Sequence, residues 1–157
     1  MSNDWSPPGQ APATRQPLLS DTPPVYQRTP SGVLYELISP GTGPAAGPGS
    51  RVSFEYTLRR ANGYFVYSTA SCGVGCGDGT PESATLGQPD GPLIAGLDEL
   101  LQGMQAGEKR RALVPGRLGY VREGLAPQPP EFGQRRQVLV HNAEGLIWEV
   151  RLVKIRQ

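Results

Sequence analysis

A chain of 157 residues has room for one domain, and a core of that size folds without metals or a disulfide framework. The 15 Lys and Arg against 14 Asp and Glu leave a net charge of +1, dispersed along the chain, which excludes the basic footprint of a nucleic-acid or anionic-membrane binder. No stretch reaches the roughly 20 apolar residues of a membrane span, no N-terminal run resembles a signal peptide, and 21 glycines with 17 prolines favour a β-rich, turn-rich fold.

Residues 1–31 read as a proline-rich N-terminal extension, with Pro7, Pro8, Pro12, Pro17, Pro23, Pro24 and Pro30 and few apolar anchors. Such a stretch builds no core. It is either a solvated tail or an arm, stiffened toward polyproline geometry, that lays Trp5, Leu18 and Leu19 on a partner protein. The folded domain is expected over residues 32–157. Val33, Tyr35 and Leu37 share one face of an extended segment, so residues 33–38 predict a strand ended by Pro40-Gly41. Val52, Phe54, Tyr56 and Leu58 alternate with polar residues, Asn62-Gly63 signals a hairpin, and residues 64–68 predict the returning strand.

Residues 70–92 read as a glycine-rich loop. It holds Cys72 and Cys76, which with the single histidine cannot fill a tetrahedral zinc site; a disulfide and free thiols both remain open. Asp90-Gly91-Pro92 then opens the one convincing helix, with Leu97, Leu100, Leu101 and Met104 at i, i+3, i+4 and i+7 and Gly107 placed to end it. Residues 109–114, 137–140 and 146–155 predict three further strands, the last after a turn at 141–145 that leaves His141 solvated. Lys109-Arg110-Arg111 and Arg135-Arg136 read as solvated strand edges. The sum is an α+β fold, an antiparallel sheet curled around a single short helix.

The string Pro92-Leu-Ile-Ala-Gly-Leu-Asp-Glu-Leu-Leu-Gln-Gly-Met-Gln-Ala-Gly-Glu-Lys-Arg-Arg-Ala-Leu-Val-Pro-Gly-Arg-Leu-Gly-Tyr120 resembles the FKBP-type peptidyl-prolyl isomerases. It shares their Ile-x-Gly turn into the helix, Gly-Met, paired basic residues and Leu-Gly-Tyr. Gly41-x-Gly43, Gly49, Val52-x-Phe54-x-Tyr56 and Asn62-Gly63 upstream, and Trp148-Glu-Val-Arg-Leu152 downstream, are similar to the family in the same order. The resemblance implies a half-barrel wrapped on the helix and an apolar prolyl cleft lined by Tyr56, Val66, Tyr67, Leu93, Ile94, Leu97, Tyr120 and Trp148. Chemistry in such a cleft needs no cofactor, metal or nucleophile. An X-Pro bond rotates against a barrier of about 20 kcal/mol, and a dry aromatic pocket favours the twisted, less polar amide.

A thousandfold acceleration requires about 4 kcal/mol of differential binding. Two departures from the family erode it: Phe-Asp-Ser-Ser becomes Val66-Tyr67-Ser68-Thr69, and the floor tryptophan becomes Leu97. Each loss is worth roughly 1–2 kcal/mol on a hot-spot scale, so weak or absent turnover is expected. The stretch after Tyr120 is lengthened and carries Pro127-Gln-Pro129-Pro130-Glu-Phe132. It corresponds to the flap beside the cleft, with Phe132 either a contact residue or part of a decorative insertion.

Two functions follow from the resemblance. One is an active isomerase and folding catalyst. The other, favoured here, is a monomeric binding module, an accessory subunit or assembly factor that holds a protein complex through its arm and flap. The sequence looks most like divergent chloroplast FKBPs, which implies the thylakoid lumen and a photosystem or electron-transfer complex as partner; a cytoplasmic chaperone is the alternative.

Overall fold

The computed structural model describes residues 25–156. Its strands are β1 (Gln27–Arg28), β2 (Leu34–Ser39), β3 (Thr42–Ala45), β4 (Arg51–Arg60), β5 (Phe65–Ser68), β6 (Glu82–Thr85), β7 (Gln105–Ala106), β8 (Lys109–Val114) and β9 (Leu146–Arg156). Its helices are α1 (Ala95–Leu101) and α2 (Phe132–His141). The main sheet is antiparallel, in the order β1-β2-β8-β9-β4-β5 with β6 also paired to β4, while β3 and β7 form a separate ribbon.

β4 organises the sheet. Its alternation buries Val52, Phe54, Tyr56 and Leu58, and its register sets Phe54 opposite Leu152, Tyr56 opposite Val150 and Leu58 opposite Trp148. These side chains therefore share one face, because side chains directly opposite in an antiparallel pair project together. β4 is paired to β9 along one edge and divides the other between β5 and β6. Its register shifts between Ser53 and Phe54 against β9 and between Leu58 and Arg59 against β5, and such bulges bend a strand and increase its twist. The result is the curled, unclosed sheet expected around one short helix.

The wrapped helix is α1, which buries Leu97, Leu100 and Leu101 completely against this face. Each such leucine contributes roughly 1.5–3 kcal/mol of apolar burial. Gly96 sets the distance between helix and sheet. A Cβ there would lie 2.5 Å from Val114 Cγ1 and 3.1 Å from the Leu118 carbonyl oxygen, so only glycine permits this approach. The helix stops three residues earlier than its apolar spacing predicts. Gln102 is extended, Gly103 takes φ +94°, and the backbones of Gly103 and Met104 pair with Ala46, so Met104 is buried from outside the helix. Gly107, expected to end the helix, instead precedes β8.

Three further expectations are corrected. Residues 70–92 are not all loop, since β6 pairs with β4 from within them. The strand expected at residues 137–140 is the second half of α2, and His141 closes that helix rather than lying in a turn. Glu131 and Gln134 explain the helix: each side chain bonds the other's backbone in a capping box, and this local closure outweighs the β preference of Val138 and Val140. α2 lies beside β5, so the curled sheet still encloses α1 as its single helix. Finally, Arg110 and Arg111 are not free edges. Arg110 donates to Glu108 and to the Leu100 carbonyl at the end of α1, and Arg111 pairs with Glu149 and Glu36.

The last residues of the proline-rich extension belong to the packed unit. β1 pairs with β2, the Val33 N–H donates to Thr29 Oγ1 at 2.9 Å, and Ser31 is held by Glu99 and Arg117. Trp5, Leu18 and Leu19 lie outside the described residues.

Candidate functional site

Where the sheet face meets the start of α1, aromatic rings converge. Tyr56 and Trp148 have ring centroids 5.2 Å apart, Tyr56 and Tyr67 5.7 Å, and Tyr120 stacks on Trp148 at 6.4 Å with 27° between planes. Tyr56 comes from β4, Tyr67 from β5, Trp148 from β9, and Tyr120 from the loop after the 3-10 turn Gly116–Leu118. Ile94 and Leu97 complete the cluster from the entrance and first turn of α1, both fully buried. Leu93 packs on its margin and is half-buried. Val66 joins the same buried cluster from β5. Phe132 stands apart on α2, 71% exposed.

Local bonds hold the rings in place. The Tyr56 N–H donates to Thr69 Oγ1 at 3.1 Å, and the Thr69 N–H returns a bond to the Tyr56 carbonyl at 3.0 Å, clamping the end of β5 against β4. The β4–β5 register sets Tyr67 opposite Leu58, on the sheet's packed face. Among the described residues, Tyr56 Oη and Trp148 Nε1 are buried without a hydrogen-bond partner. Buried polar atoms are nearly always paired, so these two are exceptions, as are Arg60 Nε and Gln137 Oε1 elsewhere among the described residues.

Glu82, from β6, sets the electrostatics. Its half-buried carboxylate has no ion-pair partner among the described residues, and desolvation pushes its pKa up. Burial, then the neighbouring Tyr120, Glu82 and Tyr67, hold the Tyr56 hydroxyl firmly protonated. Burial and then Glu82 do the same for Tyr120. These hydroxyls remain donors at any physiological pH. Glu82, Pro92, Leu93 and Pro127, with Phe54 and the cations Arg51, Lys154 and Arg156, line a cavity of about 450 Å³; Tyr56, Tyr67, Ile94, Leu97, Tyr120 and Trp148 do not line it.

The flap closes one side. The Ala126 N–H donates to the Pro92 carbonyl at 2.6 Å, the Ile94 N–H donates to the Ala126 carbonyl at 2.9 Å, and the Tyr120 hydroxyl donates to the Pro127 carbonyl. Leu125, Pro127 and Pro129 are buried. On the far side of the flap, Gln134 Nε2 reaches the Gly75 carbonyl at 2.9 Å. Gly75 lies in the loop closed by a Cys72–Cys76 disulfide, which resolves the alternative left open by the sequence. Among the described residues no three His, Cys, Asp or Glu side chains form a group able to hold a metal ion.

The profile of the FKBP-type peptidyl-prolyl cis-trans isomerases matches residues 43–153, most of the chain. The chain belongs to the FKBP-type family. This FKBP is 46% identical over 128 residues to the chloroplastic peptidyl-prolyl cis-trans isomerase FKBP16-1 of Arabidopsis thaliana, an alignment that covers 82% of the chain and 60% of that protein. It is 35% identical over 106 residues to the chloroplastic FKBP16-4 of the same plant, covering 67% of the chain and 45% of the relative. The chain thus spans only about half the length of these two relatives. Among solved structures, FkpA from Escherichia coli superposes with a TM-score of 0.59 at 21% identity, covering 83% of this FKBP and 51% of FkpA, which shows a shared fold.

Two residues in the site, Glu82 and Ala126, were not singled out in the sequence, and Pro127 was noted only as part of the flap. Glu82 was hidden because Glu82-Ser83-Ala84-Thr85 has no apolar alternation to announce a strand. Ala126 acts through its backbone N–H and carbonyl and Pro127 through its carbonyl, and main-chain groups leave no mark in a side-chain pattern.

Proposed function

We propose that this FKBP-type chain binds X-Pro segments of proteins at Tyr56, Ile94, Leu97, Tyr120 and Trp148. In this proposal it turns them over weakly and serves mainly as an accessory subunit or assembly chaperone of a protein complex. The observation that carries it is the convergence of the Tyr56, Tyr120 and Trp148 rings over the entrance to α1, with two buried donors unpartnered. Such a cluster offers aromatic area for a prolyl ring and little water to stabilise a planar amide. Weak turnover follows from what the cluster contains. Leu97 presents less area than an indole, Tyr67 offers a hydroxyl where a carboxylate accepts bonds, and Glu82 sets a charge beside a wall that works best when apolar.

The chloroplastic names of the related proteins support a chloroplast location, and the thylakoid lumen with a photosynthetic complex is the more specific form of the proposal. Phe132, Leu139 and Val140, all exposed on α2, and the arm carrying Trp5, Leu18 and Leu19 are the proposed contacts to that complex. The alternative, an efficient isomerase and folding catalyst, draws on the Tyr120 and Ile94 donors already gripping carbonyls of a proline-bearing segment.

A protease-coupled isomerisation assay on a short X-Pro peptide separates the two. Loss of about 2.7 kcal/mol of differential binding predicts kcat/KM about 100-fold below that of an efficient FKBP measured alongside. Equal values would establish the efficient isomerase instead. Deleting residues 1–24, which stops short of β1, should leave the melting temperature unchanged and release the protein from its complex in a pull-down. Retention at full strength would remove the arm from the contact.

A further inference from the structure

At the entrance of α1 the Ile94 N–H and the Tyr120 hydroxyl are already engaged by the chain itself, while the Tyr56 hydroxyl and Trp148 Nε1 are not. Residues 125–129 run alongside residues 92–94 as an added extended segment, in a parallel bridge between Leu93 and Ala126. Ala126 both gives a bond to Pro92 and receives one from Ile94, at 2.6 and 2.9 Å. One residue on, the Pro127 carbonyl takes the Tyr120 hydroxyl while the Pro127 ring is buried at the margin of the cavity lined by Glu82 and Leu93. A backbone N–H and a phenolic O–H donating to successive carbonyls, with a buried proline ring between them and the body of the protein, suit an X-Pro segment, and the flap supplies one from within.

We propose, building on the prolyl-binding function above, that residues 125–129 are an intramolecular ligand of the cleft, so that X-Pro segments bind only after the flap leaves. A tethered segment competes at an effective concentration of about a millimolar for a short tether, with no new contact needed. If the flap is out for about a tenth of the time, the apparent affinity for a free peptide falls about tenfold. The contacts are suited to exchange rather than to permanent closure. They are a few hydrogen bonds, two proline rings and the buried Leu125 side chain, and residues 121–124 leading into the flap are exposed, with one side-chain bond from Arg122 to the Gly91 carbonyl.

The test uses a fluorescein-labelled hexapeptide of the flap's own sequence, Leu-Ala-Pro-Gln-Pro-Pro, and reads anisotropy. Three proteins are compared: the intact chain, a chain with residues 125–130 replaced by six Gly and Ser residues, and Pro127→Gly. The replacement should bind the peptide at least about tenfold more tightly than the intact chain, with Pro127→Gly between them. Equal affinity in all three, or no binding by any, overturns the proposal. If the replacement fails to fold, Pro127→Gly decides, aided by amide exchange. Its Ile94 N–H should exchange at least about tenfold faster than in the intact chain, and unchanged exchange overturns the proposal. The isomerase assay on the same variants reads the function separately. Peptide bound tightly by the replacement without turnover keeps the flap as ligand and removes the isomerase. Turnover identical in the intact chain and the replacement keeps the isomerase and removes the flap as competitor.

Discussion

Tyr56 and Trp148, far apart in sequence, meet at 5.2 Å across the paired strands β4 and β9, and each carries a buried polar atom that nothing in the described structure satisfies. A buried hydroxyl without a partner subtracts from stability. Replacing Tyr56 by Phe should therefore be neutral or stabilise the fold by up to about 1 kcal/mol in thermal unfolding, while lowering affinity for an X-Pro peptide. Trp148→Ala should cost about 3–5 kcal/mol, because it empties the centre of the cluster. A large destabilisation by Tyr56→Phe would mean that the hydroxyl is bonded after all.

Glu108 and Arg110 form a largely buried pair, and Arg110 also reaches the Leu100 carbonyl and lies over the Tyr35 ring. Removing one partner strands the other. Glu108→Ala should cost about 3 kcal/mol in urea denaturation, more than an exposed ion pair could lose. A cost below about 1 kcal/mol would show that the pair contributes no more than a surface contact.

Gly96 is fixed by the approach of α1 to Val114 and Leu118. Gly96→Ala should destabilise by about 1–3 kcal/mol despite alanine's higher helix propensity, with the midpoint of denaturation reporting it. A stabilised variant would mean that the helix can move outward without loss.

Glu82 predicts a pH dependence. Its pKa in the folded chain lies above the ordinary 4.5, through desolvation, so the folded state favours the protonated acid. The stability it contributes is full below pH 4.5 and is lost as the pH rises through the raised folded value. Glu82→Gln should stabilise the protein at pH 7 by about 0.5 kcal/mol or less, since the carboxylate is only half-buried, and the gain should vanish below pH 4.5. A gain that grows on acidification would reverse the sign and the argument.

The Cys72–Cys76 disulfide closes a small loop. On the chain-entropy model, opening it with a Cys72→Ser, Cys76→Ser double variant should cost about 2 kcal/mol. Because Gly75 within this loop accepts from Gln134, the amides of α2 should exchange faster in the variant than those of β9. Uniform acceleration across the domain would place the effect in global stability alone.

The legible parts of the fold were those with a strict side-chain period. β4, β8 and β9 declare themselves by alternation, the hairpin by Asn62-Gly63, and α1 by Leu97, Leu100 and Leu101. β3 and β7 are short strands with no alternating burial, and β6 exposes or half-buries every residue, so none had a pattern to read. α2 was mistaken for a strand because Val138-Leu139-Val140 is β-favouring, while the deciding information lay in two cap side chains upstream. The aromatic residues that converge in the structure were named through the family's motifs. The carboxylate and the flap carbonyls were not, because they act through tertiary placement and main-chain atoms.

The two ends of the segment that crosses the cleft are fastened unequally. Arg135 binds the carbonyls of Pro129 and Pro130, and Gln134 binds Gly75 beside the covalent bridge, so the downstream end is moored to the body of the protein. Upstream, residues 121–124 are exposed and held by a single side-chain bond, from Arg122 to the Gly91 carbonyl at 3.2 Å, which an outward swing must break. Any outward swing must therefore pivot near Pro129, lifting Ala126 farther than Gln128, and a strand of foreign polypeptide would gain its first foothold at Ile94.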